Sequence, residues 1–363
     1  MADAISFSRG APSVDIVDIE GLRAAADRAL TNDPAGTTAY GTAVGYVPLR
    51  KWIAEKHGVT PEHVIVTNGS MQADAFLFDE LVSPGTQVVV EKPSYDRTLL
   101  GLKERGAEIT AIPLENDGID VAALRTALEG GLRPAFAHVI PNYQNPGGCS
   151  LSLEKRKELV ALAEQYDFLI FEDDPYREIR FRGELLPAMY ELAPERVVFA
   201  CSFSKTVAPG VRTGYLVGAP ELIAKIVRRA TNTYIAPDML AQSVVYELTQ
   251  DADRFARSLQ TVNDALRERS DLLGAALKQH LPEATFVQPD GGYFLWAELP
   301  ASYDVDAAAA KMADYDVAFV KGSDFVLDDS GKSSLRLAYS AVRADQVDEG
   351  VQRLAACLNA HKA

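Results

Sequence analysis

The chain reads as an α/β protein. A large domain carries a mostly parallel seven-stranded sheet sandwiched by helices, and a smaller α/β domain is built from the N- and C-terminal segments. Three observations predict this. Short apolar, β-branched runs recur between residues 64 and 219, with helix-patterned segments between most of them, the pattern of buried parallel strands and their crossovers. Residues with chemistry in them cluster just after those runs, where parallel sheets place their sites. A second strand-and-helix region follows residue 285.

Taken in order, the chain opens with an extended piece, ISFSRGAP, that ends in a turn. An amphipathic helix is expected over residues 19–31. A Gly-rich loop, YGTAVGY, leads into a helix near 48–56, with Pro48 in the first turn, where its missing N–H costs nothing. The seven strands are VIVT (64–67), QVVVE (87–91), EITAIPL (108–114), AFAHVI (135–140), FLIFEDD (168–174), RVVFACS (196–202) and GYLVGA (214–219). Helical patterns occupy 71–81, 95–105, 121–129 and 153–166, and a long one over 253–281 suits a connector between domains. The second α/β region has strand-like runs within 285–299, 316–322 and 333–340, with helices near 305–315 and 344–360. The expected division is 33–262 for the large domain and 1–32 with 263–363 for the small one.

Composition narrows the function classes. With 363 residues, 47% hydrophobic and 24% charged, this is an ordinary globular chain with room for two domains. A net charge of −15 argues against nucleic acid or an anionic membrane as partner. The start, MADAISFSRGAP, shows no secretory leader, and no apolar run approaches the roughly 18 residues that span a bilayer. Cys149, Cys201 and Cys357 are few and scattered, which suits a reducing cytoplasm. Neither they nor the five histidines show metal-ligand spacing, so no metal site is expected.

The chemistry centres on residues 197–215, VVFACSFSKTVAPGVRTGY. A buried strand runs out into Ser202, Ser204 and one lysine, Lys205; a turn over Ala208-Pro209-Gly210 then brings in Arg212. A lysine at a strand mouth can be desolvated, which lowers its pKa and makes the amine a nucleophile toward carbonyls. Hydroxyls with an arginine make a cradle for a phosphate dianion. An amine beside a phosphate clamp is what pyridoxal 5'-phosphate (PLP) requires. A lysine after a strand is more often a solvated surface charge. Four further strand-end clusters outweigh that reading: Asn68-Gly69-Ser70, the Glu91 to Tyr95 stretch, PNYQNPGG (141–148) and Asp173-Asp174-Pro175-Tyr176.

These residues carry a recognisable pattern. Through YGTAVGYVPLR, TNGSMQADAF, PNYQNPGG, EDDPY, SFSKTVAPGVRTGY, GGYFLW and LRLAYS, the chain resembles the fold-type I PLP enzymes of the class I/II aminotransferase family over nearly its whole length. Within that family it is most similar to the α-aminoadipate and kynurenine aminotransferase branch. The resemblance implies that Lys205 is the Schiff-base lysine and proton shuttle. It implies that Asp173 pairs with the pyridine nitrogen, that Asn145 and Tyr176 donate to the phenolic oxygen, and that Tyr95 stacks on the ring. Ser70, Met71, Ser202, Ser204 and Arg212 fall at phosphate positions, where Ser70 and Met71 would act through backbone N–H groups at a helix N-terminus. Tyr40 matches a phosphate contact that crosses from a neighbouring subunit, which implies a homodimer with shared active sites. Arg336, within LRLAYS, matches the arginine that grips the substrate α-carboxylate, and Gly10 falls at the substrate site with Asn145.

The pattern has departures. Met71 stands where the branch often carries a polar residue, and Gly147 replaces a commoner Thr. The chain starts almost at FSRGAP, without the longer arm that closes over the pocket in relatives, so substrate preference is not carried over. Arg9 is a candidate for a distal carboxylate, and Tyr143 and Tyr293 for a bulky substrate group. The expected reaction is transfer of an amino group between an L-amino acid and a 2-oxo acid, with glutamate and 2-oxoglutarate as one pair. A β-lyase, a decarboxylase, or an oxidising or cyclising enzyme on the same scaffold is the alternative, because short motifs do not fix which Cα bond breaks. A DNA-linked sensing domain is a further alternative, opposed by the negative charge and by the lack of a preceding winged helix.

Overall fold

A computed structural model of the chain describes residues 4–362. Among them, the large sheet runs in the order Val64–Thr67, Gly214–Val217, Val197–Ser202, Leu169–Asp173, Phe136–Val139, Gln87–Lys92, Glu108–Glu115, Gly118–Ile119. All seven predicted strands are present. The eighth, Gly118–Ile119, is a two-residue antiparallel extension of the edge, too short to show any alternation in the sequence. Gly214–Val217 is antiparallel to both neighbours, and apart from the Gly118–Ile119 extension the ladders between the strands from 87 to 202 are parallel.

Both faces of this sheet are covered, which explains why its strands read as continuous apolar runs. Val66, Val89, Ala137, Ile170 and Phe199 point into one core. Their neighbours Ile65, Val88, Phe136, Phe171 and Val198 point into the other, as the two-residue period of a strand requires. Helices such as Leu153–Tyr166 line the first face, while Ser70–Leu81 and Pro220–Tyr234 line the second. Register decides where the site falls. Gly214 pairs with Thr67 on one side and Ser202 on the other, so three chain segments open at the same edge.

The terminal unit has its own core. Ser334–Ala338 is the centre of a three-stranded antiparallel sheet with Phe294–Glu298 and Val320–Lys321. Ile5–Ser6 pairs in parallel with Val317–Ala318. Phe7, Leu295, Leu337, Val351 and Leu354 are buried together there, each contributing about 1.5–3 kcal/mol by leaving water. The run 285–299 yields a strand only at Phe294–Glu298, because Pro289, Asp290, Gly291 and Gly292 break the path before it. The run 316–322 divides between two sheets.

Two helices relate the units. Ala252–His280 packs Phe255 near the large core and buries Val262, Leu266, Leu273 and Leu277 in the terminal one. Ile19–Asn32, capped by the Asp18 side chain, buries Ala25 and Ala29 and lies against Met239–Gln250. That helix therefore sits with the large unit, whereas the sequence expectation has residues 1–32 in the small one. Its alternating small residues mark an apolar face but not which unit receives it. Among the described residues, no helix is long and apolar enough to cross a membrane.

Candidate active site

Strand ends and the segments after them build one cavity of about 180 Å³. Ser70, Met71, Tyr95, Asn145, Asp173, Tyr176, Ser202, Ser204, Lys205 and Arg212 all line it. Residues spread over the sequence from 70 to 212 meet because the parallel strands deliver them to one edge.

Lys205 lies in the turn after Val197–Ser202. Its Nζ donates to the Gly10 carbonyl (2.8 Å) and sits 5.7 Å and 5.3 Å from the ring centres of Tyr176 and Tyr293. Burial, assisted by the positive charges of Arg212 and Arg336 and opposed by Asp173, lowers its pKa to about 8. Gly10 comes this close because it lacks a side chain: a Cβ there would lie 2.3 Å from the Phe294 ring. The Lys205 carbonyl in turn accepts from the Tyr293 hydroxyl (2.8 Å), which fixes the turn from behind.

Asp173 ends the strand Leu169–Asp173. One of its oxygens is 3.7 Å from His138 Nε2 and the other, buried, has no partner among the described residues. Its neighbours in sequence face away: Glu172 accepts from the N–H groups of Met189 and Tyr190, and Asp174 accepts from Asn142 Nδ2 at 2.7 Å. The alternation of a strand thus separates the acid that faces the cavity from the two that hold the scaffold. Tyr176 is buried, with Tyr293 and Phe294 packed against its ring at 5.6 Å and 5.8 Å, and burial raises its pKa well above the usual phenol value. Tyr95 stands at the N-cap of Asp96–Glu104, its pKa raised to about 12 by burial and by Asp96 and Asp173.

The phosphate-type corner forms where Thr67, Gly214 and Ser202 adjoin. The helix Ser70–Leu81 starts at Gly69 with no side-chain cap, so its first N–H groups are free to meet an anion. Gly214 abuts this start; a Cβ on it would be 2.4 Å from the Ser70 backbone nitrogen. Arg212 donates to Ser204 Oγ (3.2 Å), and Ser202 Oγ accepts from the Ser204 N–H (3.1 Å). Ser204 is therefore tied to both other members of the corner.

Arg336 approaches from the terminal unit. It is stacked 4.4 Å from the Phe294 ring centre and 4.9 Å from that of Phe325, and it donates to Asn145 Oδ1 (3.0 Å) and the Ser8 carbonyl (2.8 Å). Its Nε is buried without a partner among the described residues. Asn145 is held by its loop: Glu91 accepts from Gln144 Nε2 (3.0 Å) and the Ile140 N–H (3.1 Å), while Gln144 Oε1 accepts from the Gly147 N–H.

Some candidates lie elsewhere. Tyr40 is 89% exposed and does not line the cavity. Arg9 is exposed on the solvent side of the segment that carries Gly10, and its carbonyl accepts from Ser340 Oγ (3.4 Å). Tyr143 is buried against Gly291 and Gly292, and Tyr293 lies beneath Lys205, so neither lines the cavity. Three lining residues have no place in the sequence-based assignment: Asp74, Ile140 and Pro175. Asp74 had a signal, since it is four residues after Ser70 and so shares its helix face. His138, in the middle of an apolar strand, had a weaker one.

These groups fit PLP. The cavity offers an amine at Lys205, an unpartnered buried carboxylate oxygen at Asp173, and free helix N–H groups beside Arg212. Comparison with known proteins gives the same class. The crystal structure of α-aminoadipate aminotransferase from Thermus thermophilus, complexed with N-(5'-phosphopyridoxyl)-L-leucine, superposes with a TM-score of 0.94 at 32% identity over 98% of this chain and 92% of that one. Fold and cavity define a fold-type I PLP-dependent enzyme.

The chain belongs to the aminotransferase class I and II family, whose model matches residues 2–354. It is 33% identical over 359 residues to a 2-aminoadipate transaminase of Thermus thermophilus, covering 98% of this chain and 90% of the relative. It is 31% identical to the mitochondrial kynurenine/alpha-aminoadipate aminotransferase of Bos taurus, over 80% of this chain and 72% of that one. It is a PLP-dependent transaminase.

Proposed function

We propose that the protein moves an amino group between an L-amino acid and a 2-oxo acid in two half-reactions at this one cavity, with glutamate and 2-oxoglutarate as one pair. The observation that carries the reading is the Lys205 amine, buried and lowered to about 8, facing the same cavity as the unpartnered Asp173 oxygen. Bound PLP supplies an electron sink for the charge that develops at the substrate Cα. Lys205 Nζ would be the attachment point for its aldehyde carbon. Asp173 would hold the ring nitrogen, Asn145 and Tyr176 would hold the ring oxygen, and Tyr95 would cover one face.

Arg336 grips the substrate carboxylate through its planar fork, which the Phe294 and Phe325 rings keep in orientation. With its pKa near 8, Lys205 has a deprotonated fraction near neutral pH and acts as the general base at Cα. Lys205 Nζ would hold that proton and hand it on within the cavity, and water would supply the oxygen of the released 2-oxo acid while the amino group stays behind on the cofactor. A second 2-oxo acid takes up the amino group by the reverse steps. Ser70, Met71, Ser202, Ser204 and Arg212, which line the cavity, would hold the phosphate through both halves, so the cofactor need not leave.

We also assign Tyr40 to the phosphate corner of a second copy. Exposed apolar side chains accompany it: Met71 at 41%, Ile235 at 61% and Leu240 at 47%. Gly41 lies against Met239, and the Asp238 N–H donates to Asn68 Oδ1 (2.9 Å), which puts this apolar surface beside the phosphate corner. A homodimer follows from this reading; we place it in the cytoplasm, a compartment that the three free cysteines suit.

The test is a half-reaction. Excess L-glutamate added to the PLP-loaded protein without acceptor should give one 2-oxoglutarate per site and remove the visible band of the aldehyde form. No 2-oxoglutarate from the wild type would sink the donor assignment. Full yield from Lys205→Ala would sink the lysine.

A further inference from the structure

Asp74 is a buried carboxyl that none of these roles uses. It lies one turn into the helix Ser70–Leu81, is only 5% exposed, and lines the same cavity as Asp173. One oxygen of each acid is buried with no hydrogen-bond partner among the described residues. Two ionised carboxylates are acceptors only and cannot satisfy each other. A single proton between them satisfies both, and two like charges buried on one cavity favour that state.

We propose that Asp74 and Asp173 share one proton, carried on Asp74, so that Asp74 acts as a positioning residue for the acid that faces the cofactor ring. This rests on the reading of Asp173 as the partner of the ring nitrogen. The surroundings decide which acid keeps the charge. Asp173 has His138 Nε2 at 3.7 Å, itself beside Thr98 Oγ1 at 3.5 Å, and faces the Lys205 amine across the cavity. Among the described residues Asp74 has no side-chain partner of this kind, and its Oδ1 is unpaired. On its other side a second cavity of about 270 Å³ carries Arg97, Glu104 and Arg105, of which Arg97 pairs with Asp96 and Arg105 with Asp79. Within the cofactor cavity Asp74 also shares space with Tyr95, Tyr176 and Arg212. Burial and the neighbouring Asp173 charge raise its pKa well above the usual carboxylate range. A carboxylate has about four lone-pair sites, so Asp173 can accept from Asp74 and from a ring N–H together.

The consequence is a neutral acid whose O–H points positive charge at Asp173 and tempers the charge that Asp173 presents to the ring. Asn at position 74 can donate in the same way, while Leu cannot. Two readouts test this. Infrared spectra of the protein before PLP is added, at neutral pH, should show a carboxylic-acid C=O band that Asp74→Asn removes. Glu91→Gln is the control, because burial also raises Glu91 to about 8. After PLP is added, the pH midpoint of the visible band should rise by about half a unit or more in Asp74→Leu, and Asp74→Asn should restore it to the wild-type value.

An acid band untouched by Asp74→Asn overturns the shared proton. A midpoint unmoved in Asp74→Leu, or moved equally in both variants, overturns the positioning role. Failure of the wild type to develop a visible band would instead count against the cofactor assignment, and the infrared result would still decide the proton. If the Leu variant does not fold, the Asn variant alone still gives the infrared outcome.

Discussion

Replacing Lys205 by Met should abolish turnover and yet make the cofactor-free protein more stable at neutral pH. The fall of the Lys205 pKa from 10.5 to about 8 means that the folded cavity disfavours the ammonium. At about 1.4 kcal/mol for each tenfold change in proton affinity, that disfavour is about 3 kcal/mol below pH 8. Met keeps an unbranched stem that can pack on the Tyr176 and Tyr293 rings. It loses the hydrogen bond to the Gly10 carbonyl, about 1 kcal/mol, which leaves a net gain of about 2 kcal/mol. The sign of the pH dependence is fixed. Between about pH 8 and 10.5 the folded wild type binds fewer protons than the unfolded chain, so its stability rises with pH and the gap to the variant closes. Urea unfolding of both cofactor-free proteins at pH 7 and again near pH 10 measures this, with the other titrating groups cancelling in the difference. A variant less stable than wild type at pH 7, or a gap that stays the same at both pH values, would refute the account of Lys205 as a strained, desolvated amine.

Other changes test the remaining parts. Arg336→Ala removes the planar fork assigned to the substrate carboxylate, whose charge-assisted hydrogen bonds are worth about 1.5–3 kcal/mol each, so kcat/KM for an amino acid should fall a hundredfold or more, and Arg336→Lys should recover only part of it. Asp173→Asn keeps the shape but removes the charge; steady-state kinetics should show kcat lower by about a hundredfold or more, while denaturation midpoints change little. Gly214→Ala puts a Cβ 2.4 Å from the Ser70 nitrogen, and overpacking of about 1–3 kcal/mol should appear as weaker PLP binding in a spectral titration. Tyr176→Phe preserves the contacts with Tyr293 and Phe294 but removes a donor to the ring oxygen, so the visible-band midpoint should rise by about one unit.

Much of this was legible in the sequence because a parallel sheet writes its order twice: once as apolar runs, and again as the reactive residues that follow each run. The placement of Asp173, Ser202 and Lys205 at strand ends was readable on that basis, since each comes at or just after the end of a mainly apolar run. What escaped depends on register and on contacts between distant segments. Nothing near residue 214 says that its strand runs antiparallel between Thr67 and Ser202. The split of 316–322 between two sheets is set by Ile5–Ser6 on one side and Arg336 on the other. Tyr143 and Tyr293 read as lining residues because aromatics suit both cores and pockets, and packing against Gly291 and beneath Lys205 settled which. Asp74 shares a helix face with Ser70, a signal outweighed by the expectation that an acidic residue on a helix normally faces solvent.

The charge balance of the cavity runs opposite to that of the chain. The sequence carries −15 overall, yet the ligands this site must hold are anions, a phosphate and a carboxylate. Lys205 and Arg212 line the cavity and Arg336 borders it through Asn145, with Asp173 as the facing acid. With Asp74 neutral, the local field stays positive and draws both anions inward. With Asp74 ionised, a second negative charge would offset a cation and weaken that pull. Exposed acids over the rest of the surface repel the same ligands in the unbound state, so the contrast between surface and cavity directs them to one place. Salt should therefore weaken PLP capture at this site by screening the field, and Asp74→Asn should leave that salt dependence unchanged because it removes no charge.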